Sequence, residues 1–227
     1  MAENLREKHA ELLDEYNSKL ESIERFQKNV IVFFEARSLK QVVHSIRHRV
    51  KDVDHLLDKI ERKNIEDSKR EQENKLGPIT RENLFNRITD MAGVRVLHLH
   101  QAQFQVIHHL ILKAVEDGDF VLFEPPKAYT FDPDSTEFFE KLGIKTEPKN
   151  SFYTSIHYVL KPNASNKITC EVQVRTLLEE VWGEVDHTMN YPTKTTDEQC
   201  IDSIRILARL ISAGSHLADS IMRRHGR

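Results

Sequence analysis

Glycine is scarce in this sequence, with 7 residues in 227, and none of them belongs to a glycine-rich phosphate loop or a dinucleotide fingerprint. Such loops bind phosphates through backbone N–H groups that closely spaced glycines leave accessible. A chain without such a loop must hold any nucleotide with its side chains.

Cysteine is equally rare. The two cysteines, Cys170 and Cys200, form neither a metal-binding spacing nor a disulfide framework, which indicates ordinary thiols of a reducing compartment. No apolar run approaches the ~20 residues that span a bilayer, and the N-terminus has no signal-peptide core. We therefore expect a soluble cytoplasmic protein with no membrane partner.

An excess of positive charge is also missing. The formal net charge of −3 argues against bulk electrostatic binding of nucleic acid, although it is compatible with local basic patches. A length of 227 residues fits one large domain or a compact domain with helical extensions.

Helical periodicity marks both ends of the chain. Residues 2–36 carry an apolar stripe that needs a covering surface, either the domain body or a second subunit. A last amphipathic helix is predicted over residues 196–224, followed by a basic tail from Arg223 to Arg227 that suits its C-terminal dipole. The stripe consists of Leu12, Leu13, Tyr16, Leu20, Ile23 and Phe26. The residues expected to face inward on the last helix are Ile201, Ile204, Leu207, Leu210 and Ile211.

A basic segment follows the first helix. Arg47, Arg49 and Lys51 alternate, so an extended chain would place them on one face with Val50 turned inward. Asp52 then offers the N-cap of a helix that carries further basic residues on one side, namely Lys59, Arg62 and Lys63. Two such basic rows could bind a polyphosphate. The alternative, which the segment alone favours, is a solvated face balanced by Asp54, Asp58 and Glu61.

The stretch from Ile168 to Val174 has the β-branched alternation of a strand. Glu171, Gln173 and Arg175 would share one face, which suits the floor of a charged-ligand site or, equally, a solvated sheet face. Thr176 can cap the next helix. Its residues expected to face a core are Leu178, Val181, Trp182 and Val185.

Two further segments place polar groups at strand ends. Asp90 stands where a short helix from Thr80 to Arg87 is followed by a strand. A carboxylate at this position can be a metal ligand or, more commonly, a cap. Gly93, which has no side chain, permits a close approach of another group to the strand. Alternation places Tyr153, Ser155, His157 and Val159 on one face, where an aromatic ring near an imidazole could stack a base. A sheet face with an isolated tyrosine is the alternative.

The remaining segments are predicted from local signals. Residues 64–79 form a polar loop, Gln103 to Val115 a helix and Phe120 to Phe123 a strand. Glu124 to Thr146 is a proline-containing connection with a short helix near Ser135 to Leu142.

Taken together, four motifs in order resemble the synthetase domain of the RelA/SpoT family, the enzymes that make ppGpp and pppGpp. The motifs are RVK…KIERK, DMAGVR, YTSIH, and EVQVRT followed by W…DH, and they run from about Ser45 to Tyr191. The chain resembles the small, single-domain type, because no hydrolase half is present. The resemblance implies an α/β fold with a mixed, largely antiparallel sheet flanked by helices. The expected division is a helical extension over 1–40, the synthetase domain over 41–192 and a C-terminal helix over 193–227.

The resemblance also implies a role for individual residues. Arg49, Lys51 and Lys59 match positions that hold ATP phosphates, assisted by Arg62, while Arg49 and Arg95 match the pair that sandwiches adenine. Asp90 and Glu171 match the catalytic carboxylates around Mg²⁺, the expected cofactor. On the acceptor side, the matching residues are Tyr153 for stacking on guanine, and His157, Gln173 and Arg175 for the ribose and phosphates.

The implied reaction transfers the β,γ-pyrophosphate of ATP to the ribose 3′-hydroxyl of GDP or GTP and releases AMP. Glu171 is the candidate to orient or deprotonate that hydroxyl, as metal ligand, base or both.

The sequence departs from the family pattern on the acceptor side. Phe152 stands where the family usually has glycine, and Ser151 stands where asparagine is common. Glu180 stands where many small members have asparagine, and Asp186–His187 takes the place of the usual Glu-His pair. ATP as donor is therefore better supported than guanine nucleotide as acceptor. The alternatives are an adenine nucleotide or the 3′ end of tRNA as acceptor, and a non-catalytic nucleotide or RNA sensor.

Two expectations concern partners. For a tRNA, the candidate contact surfaces are the basic tail and the Lys145–Lys149 pair. The terminal helices could mediate a homo-oligomer, as in many small members, or pack back on their own sheet.

Overall fold

A six-stranded open sheet forms the centre of the protein, in the order β1-β2-β6-β5-β3-β4. The structure, a computed structural model, describes residues 2–148, 152–163, 167–190 and 194–225. The strands are β1 (Ser45–Val50), β2 (Ala92–His98), β3 (Val121–Tyr129), β4 (Lys145–Glu147), β5 (Ser155–Lys161) and β6 (Cys170–Thr176). The helices are α1 (Ala2–Lys8), α2 (Ala10–Glu35), α3 (Val53–Ser68), α4 (Leu84–Arg87), α5 (Gln101–Glu116), α6 (Pro133–Lys141), α7 (Leu177–Asn190) and α8 (Glu198–His225), with a 3₁₀ turn at Gln72–Asn74.

The strand pairing confirms the predicted fold class. Three of the pairs, β1–β2, β6–β5 and β5–β3, are antiparallel, whereas β2–β6 and β3–β4 are parallel. The sheet is therefore mixed and largely antiparallel, with helices packed against it.

Strand alternation divides the central strands into an apolar face and a polar face. Val94 and Val96 of β2 and Val172 and Val174 of β6 are buried in the main core. Their alternating neighbours, including Gly93, Arg95, Glu171 and Gln173, line a cavity on the other face. The apolar face thus supplies the packing energy and leaves the polar face available for a site.

The apolar stripe of the N-terminal segment is covered by the chain's own body. α2 packs against β1, β2 and β6, and its buried residues include Tyr16, Ile23, Phe26, Val30 and Phe34. This arrangement confirms the first of the two predicted partner surfaces. The single predicted helix is divided at His9, which ends α1 and begins α2.

Three of the predicted boundaries are wrong. α3 continues to Ser68, five residues into the predicted loop. α4 begins at Leu84 rather than near Thr80, because the Asn83 side chain accepts from the Thr80 amide and closes a turn first. β3 runs through both prolines to Tyr129, well beyond the predicted end at Phe123.

The prolines of β3 are tolerated because its pairing with β5 is irregular. Register shifts lie between Leu122 and Glu124 and between Glu124 and Lys127, and the second of them spans Pro125 and Pro126. A proline lacks the N–H that a regular ladder requires, so irregular pairing is where it fits.

Helices α7 and α8 pack against each other through fewer residues than predicted. Trp182 is buried and its indole donates to the Ile204 carbonyl at 3.0 Å, as Ile204 and Ile211 pack beside it. Val181 is 54% exposed and Val185 38%, so the prediction that they face a core is wrong. Leu210 is likewise 65% exposed. The contact between α7 and α8 is narrow, and Val181 and Val185 of α7 and Leu210 of α8 lie outside it.

The predicted domain boundaries stay a prediction, and the boundary at residues 192 and 193 lies outside the described residues, as do Lys149, Ser151, Tyr191 and Arg227. Within the described part of the chain, no helix combines the length and apolar character needed to cross a membrane.

Candidate active site

Asp90 forms the centre of a basic cluster at one end of the sheet. Its Oδ2 lies 2.9 Å from the Lys51 ammonium and 2.7 Å from that of Lys59. Lys51 directly follows β1, and Lys59 lies on α3, which starts at its N-cap Asp52 as predicted. The strand-to-helix turn therefore delivers two ammonium groups to one carboxylate.

The electrostatics of this cluster keep Asp90 ionised. Burial alone would raise the pKa of the Asp90 carboxyl, but Lys59 and Lys51 outweigh it and lower that pKa below its usual value. Burial also lowers the pKa of Lys51, against the opposing effect of Asp90. Asp90 is therefore a carboxylate at neutral pH.

A second carboxylate, Glu171, lies on the neighbouring strand β6. The Gln173 amide donates to its Oε2 at 2.8 Å, and His157 Nδ1 lies 3.3 Å from its Oε1. Burial would raise the pKa of Glu171, but the hydrogen bond and charge of His157 lower it below the usual value. The Tyr153 hydroxyl in turn lies 3.0 Å from His157 Nε2. These side chains therefore fix both carboxylate oxygens of Glu171.

Both carboxylates line one cavity of about 240 Å³, which we call the central cavity. Arg49 and Arg95 line it as well. The two strands lie parallel with Gly93 opposite Glu171, so the sheet register brings Glu171 close to Asp90, three residues before Gly93. The sequence predicted this meeting of Asp90 and Glu171 only through the family resemblance.

The two carboxylates fit a divalent cation. Asp90 Oδ1 is buried and has no hydrogen-bond partner among the described residues, while Oδ2 receives both lysines. An unpaired buried carboxylate oxygen is costly unless something occupies it. Mg²⁺ prefers hard oxygen ligands of this kind and binds through one or two carboxylates together with substrate phosphates.

A second cavity, of about 450 Å³, lies beside the basic cluster, and we call it the lysine cavity. Arg62 lies at its rim, with its side chain 65% exposed and 3.8 Å from Glu66. Lys63 does not line it and instead donates to the Arg87 carbonyl at 2.7 Å. The lysine cavity is lined by Arg49, Lys51, His55, Asp58, Lys59, Arg62, Asp90, His187, Asn190 and Lys194.

A third cavity, of about 470 Å³, contains most of the predicted acceptor residues, and we call it the tyrosine cavity. The Arg175 guanidinium lies 5.8 Å from the Tyr153 ring centroid, and Trp182 lies 6.3 Å from the same ring. His157 does not line the tyrosine cavity, but it lies opposite Gln173 in the β5–β6 ladder and 3.0 Å from the Tyr153 hydroxyl, and both of these residues line it. It is lined by Arg49, Arg95, Tyr153, Gln173, Arg175, Gly183, Glu184, Asp186, His187 and Asn190.

Two of the predicted binding arginines already have carboxylate partners. Arg95 Nη1 lies 2.8 Å from both Glu180 and Glu184, and Arg175 Nη2 lies 2.6 Å from Glu180. Arg47 completes the cluster at 2.9 Å from Glu180. The guanidinium expected to stack on adenine is therefore held by α7.

Gly183 makes room for this arrangement. A Cβ atom at Gly183 would lie 2.6 Å from Arg175 Nη1, so only glycine leaves space for the guanidinium beside α7. α7 itself begins at a capping box, in which Thr176 and Glu179 each accept from the other's backbone amide.

Sequence reasoning missed two supporting residues on α2. The Gln27 amide donates to the carbonyls of Arg49 and Gly93, and the Tyr16 hydroxyl donates to that of Lys51. The available signal was a glutamine within the apolar stripe, four residues after Ile23. Sequence reasoning also missed the ion pairs of Glu180, a residue that it noted only as a departure from the family pattern.

Comparisons with known proteins give one family match. The model of the family described as "Region found in RelA / SpoT proteins" matches residues 48–196. No curated protein matches the sequence significantly.

Among solved structures, the chain is similar to a GTP pyrophosphokinase family protein from Streptococcus pneumoniae, with a TM-score of 0.63 and 19% identity over 96% of this chain and 92% of that one. It is similar to small alarmone synthetase 1 from Bacillus subtilis bound to its product pppGpp, with a TM-score of 0.62 and 17% identity over 97% of this chain and 100% of that one. The same synthetase bound to AMPCPP gives a TM-score of 0.59 and 15% identity over 97% and 98%. At these identities the likeness shows the fold.

Proposed function

Because the chain belongs to the RelA/SpoT family, we propose that it is a pyrophosphokinase that transfers the β,γ-pyrophosphate of ATP to the ribose 3′-hydroxyl of GDP or GTP. The observation that carries this proposal is the central cavity, where Asp90 and Glu171 lie beside Arg49 and Arg95. Two ionised carboxylates among cations are what a phosphoryl-type transfer with a divalent metal requires.

The lysine cavity suits the triphosphate of the donor. Five cationic side chains line it, compared with two carboxylates, Asp58 and Asp90. The ammonium groups of Lys51 and Lys59 supply point charges, and the guanidinium groups of Arg49 and Arg62 supply forked donors. Together they would neutralise the pyrophosphate as it leaves the α-phosphate.

Asp90 and Glu171 would hold Mg²⁺, which when bound supplies further neutralisation of the transferring phosphates. Asp90 Oδ1, which is buried and has no hydrogen-bond partner in the described part of the chain, is the oxygen available for this purpose. Lys51 and Lys59 fix the orientation of the same carboxylate through Oδ2.

Glu171 would also orient the acceptor. The 3′-oxygen of the ribose bonds to the β-phosphorus, the bond from that phosphorus to the α,β-bridging oxygen breaks, and AMP departs. The hydroxyl proton passes to the Glu171 carboxylate, which the Gln173 amide fixes from one side. Tyr153 lines the adjoining tyrosine cavity, where it would stack on the acceptor base.

The test is transfer from ATP labelled at the β- and γ-phosphates, with Mg²⁺ and one acceptor in each reaction: GDP, GTP, ADP, no acceptor or deacylated tRNA. We expect label on GDP or GTP together with AMP release. Glu171→Gln should lower the rate by about 10² or more, the usual contribution of a positioned base. The matched control, Glu137→Gln on the exposed face of α6, should keep the wild-type rate.

The other outcomes overturn specific parts of the proposal. Label on tRNA or on an adenine nucleotide would replace the acceptor and keep the chemistry. Nucleotide binding without AMP formation in any mixture, unchanged in Glu171→Gln, would establish a non-catalytic sensor.

A further inference from the structure

Glu180 is a buried carboxylate at the meeting point of three arginines. Its side chain is 9% exposed, and its oxygens lie 2.6 Å from Arg175, 2.8 Å from Arg95 and 2.9 Å from Arg47. Burial alone would raise the pKa of the Glu180 carboxyl, but Arg175 and Arg95 outweigh it and lower that pKa below its usual value. Glu180 is therefore a permanent internal anion beneath the tyrosine cavity.

The neighbouring Glu184 differs in one decisive respect. It contacts Arg95 and Arg47, but its side chain is 50% exposed. An exposed ion pair is worth little and opens readily to admit a ligand. The Arg175–Glu180 pair has 3% and 9% exposed side chains, and separating such a pair strands two buried charges. Arg175 therefore stays paired with Glu180 when a ligand enters the tyrosine cavity.

The two large cavities consequently differ in charge. The lysine cavity presents five cations against two carboxylates. The tyrosine cavity presents three arginines, and two carboxylates, Glu184 and Asp186, line it with them. With Glu180 beneath them, and with Arg47, which pairs with Glu180 and Glu184, four arginines stand against three carboxylates. A polyphosphate therefore finds a larger excess of positive charge in the first cavity than in the second.

We propose that Glu180 is a specificity-determining residue that makes this enzyme select acceptors with little phosphate charge, in the order GMP, GDP, GTP. The proposal rests on the proposed function and its assignment of Arg175 to the acceptor. Each added acceptor phosphate brings negative charge into a cavity where Arg95 and Arg175 are already paired with carboxylates. The base and ribose, contacted by Tyr153 and Gln173, then carry the recognition.

The experiment measures KM for GMP, GDP and GTP at saturating ATP, in the wild type and in Glu180→Gln. We expect the wild-type KM to rise from GMP to GTP. In Glu180→Gln, the ratio of KM for GTP to KM for GMP should fall by at least about tenfold, the effect of removing a unit charge near an anion in a partly solvated cavity. The ratio of two acceptor KM values is the readout because Glu180 also holds Arg95, the guanidinium assigned to adenine, so a change in ATP binding affects all three acceptors alike.

Glu184→Gln is the matched variant, because it removes the same charge from Arg95 and Arg47 at an exposed position without touching Arg175. Its KM ratio should change by less than a third of the Glu180→Gln effect. Circular dichroism shows whether Glu180→Gln folds. If it folds poorly, Glu180→Asn is the second variant, because asparagine is the residue that many small family members have at this position.

Three results overturn the inference. A wild type that prefers GTP contradicts it directly. An unchanged KM ratio in both Glu180 variants, with a lower kcat for all acceptors, would make Glu180 purely structural. If the wild type transfers to no acceptor, the proposed function fails, and equilibrium binding of GMP, GDP and GTP to wild type and Glu180→Gln still decides the order of affinities.

Discussion

The side-chain amide of Gln27 lies 2.6 Å from the Arg49 carbonyl oxygen and donates to it, with a second hydrogen bond of 3.1 Å to the carbonyl of Gly93. Arg49 and Gly93 are directly opposite each other in the β1–β2 ladder. A residue of the N-terminal helix thus joins the ends of two strands at the point where the central cavity begins.

Replacing Gln27 by methionine keeps the volume and removes the donor. We expect a loss of about 1–3 kcal/mol in the free energy of unfolding, because a buried group loses its partner. KM for ATP should rise as well, since Arg49 and Gly93 both line the central cavity. Urea unfolding and steady-state kinetics measure the two effects. Gln105→Met, exposed on α5, is the control. Equal stability of wild type and Gln27→Met would show that the hydrogen bonds contribute nothing.

Phe152 has a φ of 60° and is the one non-glycine residue with positive φ in the described ranges. Its ring packs 4.9 Å from that of Phe131 and beneath Arg209 of α8. Both Phe152→Ala and Phe152→Gly remove the packing, but only glycine also removes the backbone strain. The glycine variant should therefore be more stable than the alanine variant by about 1 kcal/mol, measured by urea unfolding.

The control for this pair is Phe131, whose φ is not positive. At an ordinary backbone position alanine is the more stable of the two by about 0.4–1 kcal/mol, so the order should reverse. The same order at both positions would contradict the assignment of strain to Phe152.

Gly183→Ala should affect acceptor binding more than stability. Alanine gains about 1 kcal/mol of helix propensity. That gain is offset because its Cβ would lie 2.6 Å from Arg175 Nη1 and displace a guanidinium paired with Glu180. We expect KM for the acceptor to rise by about tenfold, equivalent to about 1.4 kcal/mol, because the displaced guanidinium disturbs the Tyr153 ring, 5.8 Å from it, in the cavity assigned to the acceptor. Gly214→Ala on α8, where the nearest atom is Leu178 Cδ1 at 3.2 Å, should leave that KM unchanged. Equal KM values for wild type and Gly183→Ala would refute the steric account.

Asp132 links α6 to α8 and gives a pH-dependent contribution to stability. Its Oδ2 accepts from the Ser135 amide at 2.9 Å and lies 2.8 Å from His216 Nε2. Burial would raise the pKa of Asp132, but the hydrogen bonds of Ser135 and the pairing with His216 lower it below its usual value. The stabilisation is therefore present above the unfolded pKa of about 4 and is lost as pH falls through the folded value.

Asp132→Asn keeps a capping side chain and removes the charge, so it should cost up to about 1 kcal/mol at pH 7, the usual value of an anion at a helix N-terminus, and progressively less as the pH falls below about 4. Urea unfolding at pH 7 and pH 3 measures the difference between wild type and variant. Asp134→Asn, exposed in the same helix, should show a smaller difference at both values. A cost for Asp132→Asn that is equal at both pH values would contradict the titration of Asp132.

The sequence predicted those parts of the fold that local chemistry determines. The Asp52 and Thr176 caps, the alternation of β6 and the burial of Trp182 all depend on neighbours within a few residues. The run of β3 through Pro125 could not be predicted, because it depends on irregular pairing with β5, a strand more than twenty residues away.

The candidate site shows the same division. Motif order gave Asp90, Glu171 and the basic residues, and the structure brings them to one cavity system. The ion pairs of Glu180 join α7 to β1 and β2, more than eighty residues away in sequence. No local pattern contains that information, because it arises only when the sheet order is complete.

The parallel register of β2 and β6 has a consequence for how the protein matures. Gly93 lies opposite Glu171, and the side chains of β6 alternate between the core and the cavity. A slip of one residue would turn Glu171 into the core and place Cys170 or Val172 in the cavity. A slipped chain would therefore lose the pairing of Asp90 with Glu171 outright rather than weaken it, so the register of these two strands is an all-or-none condition for the site.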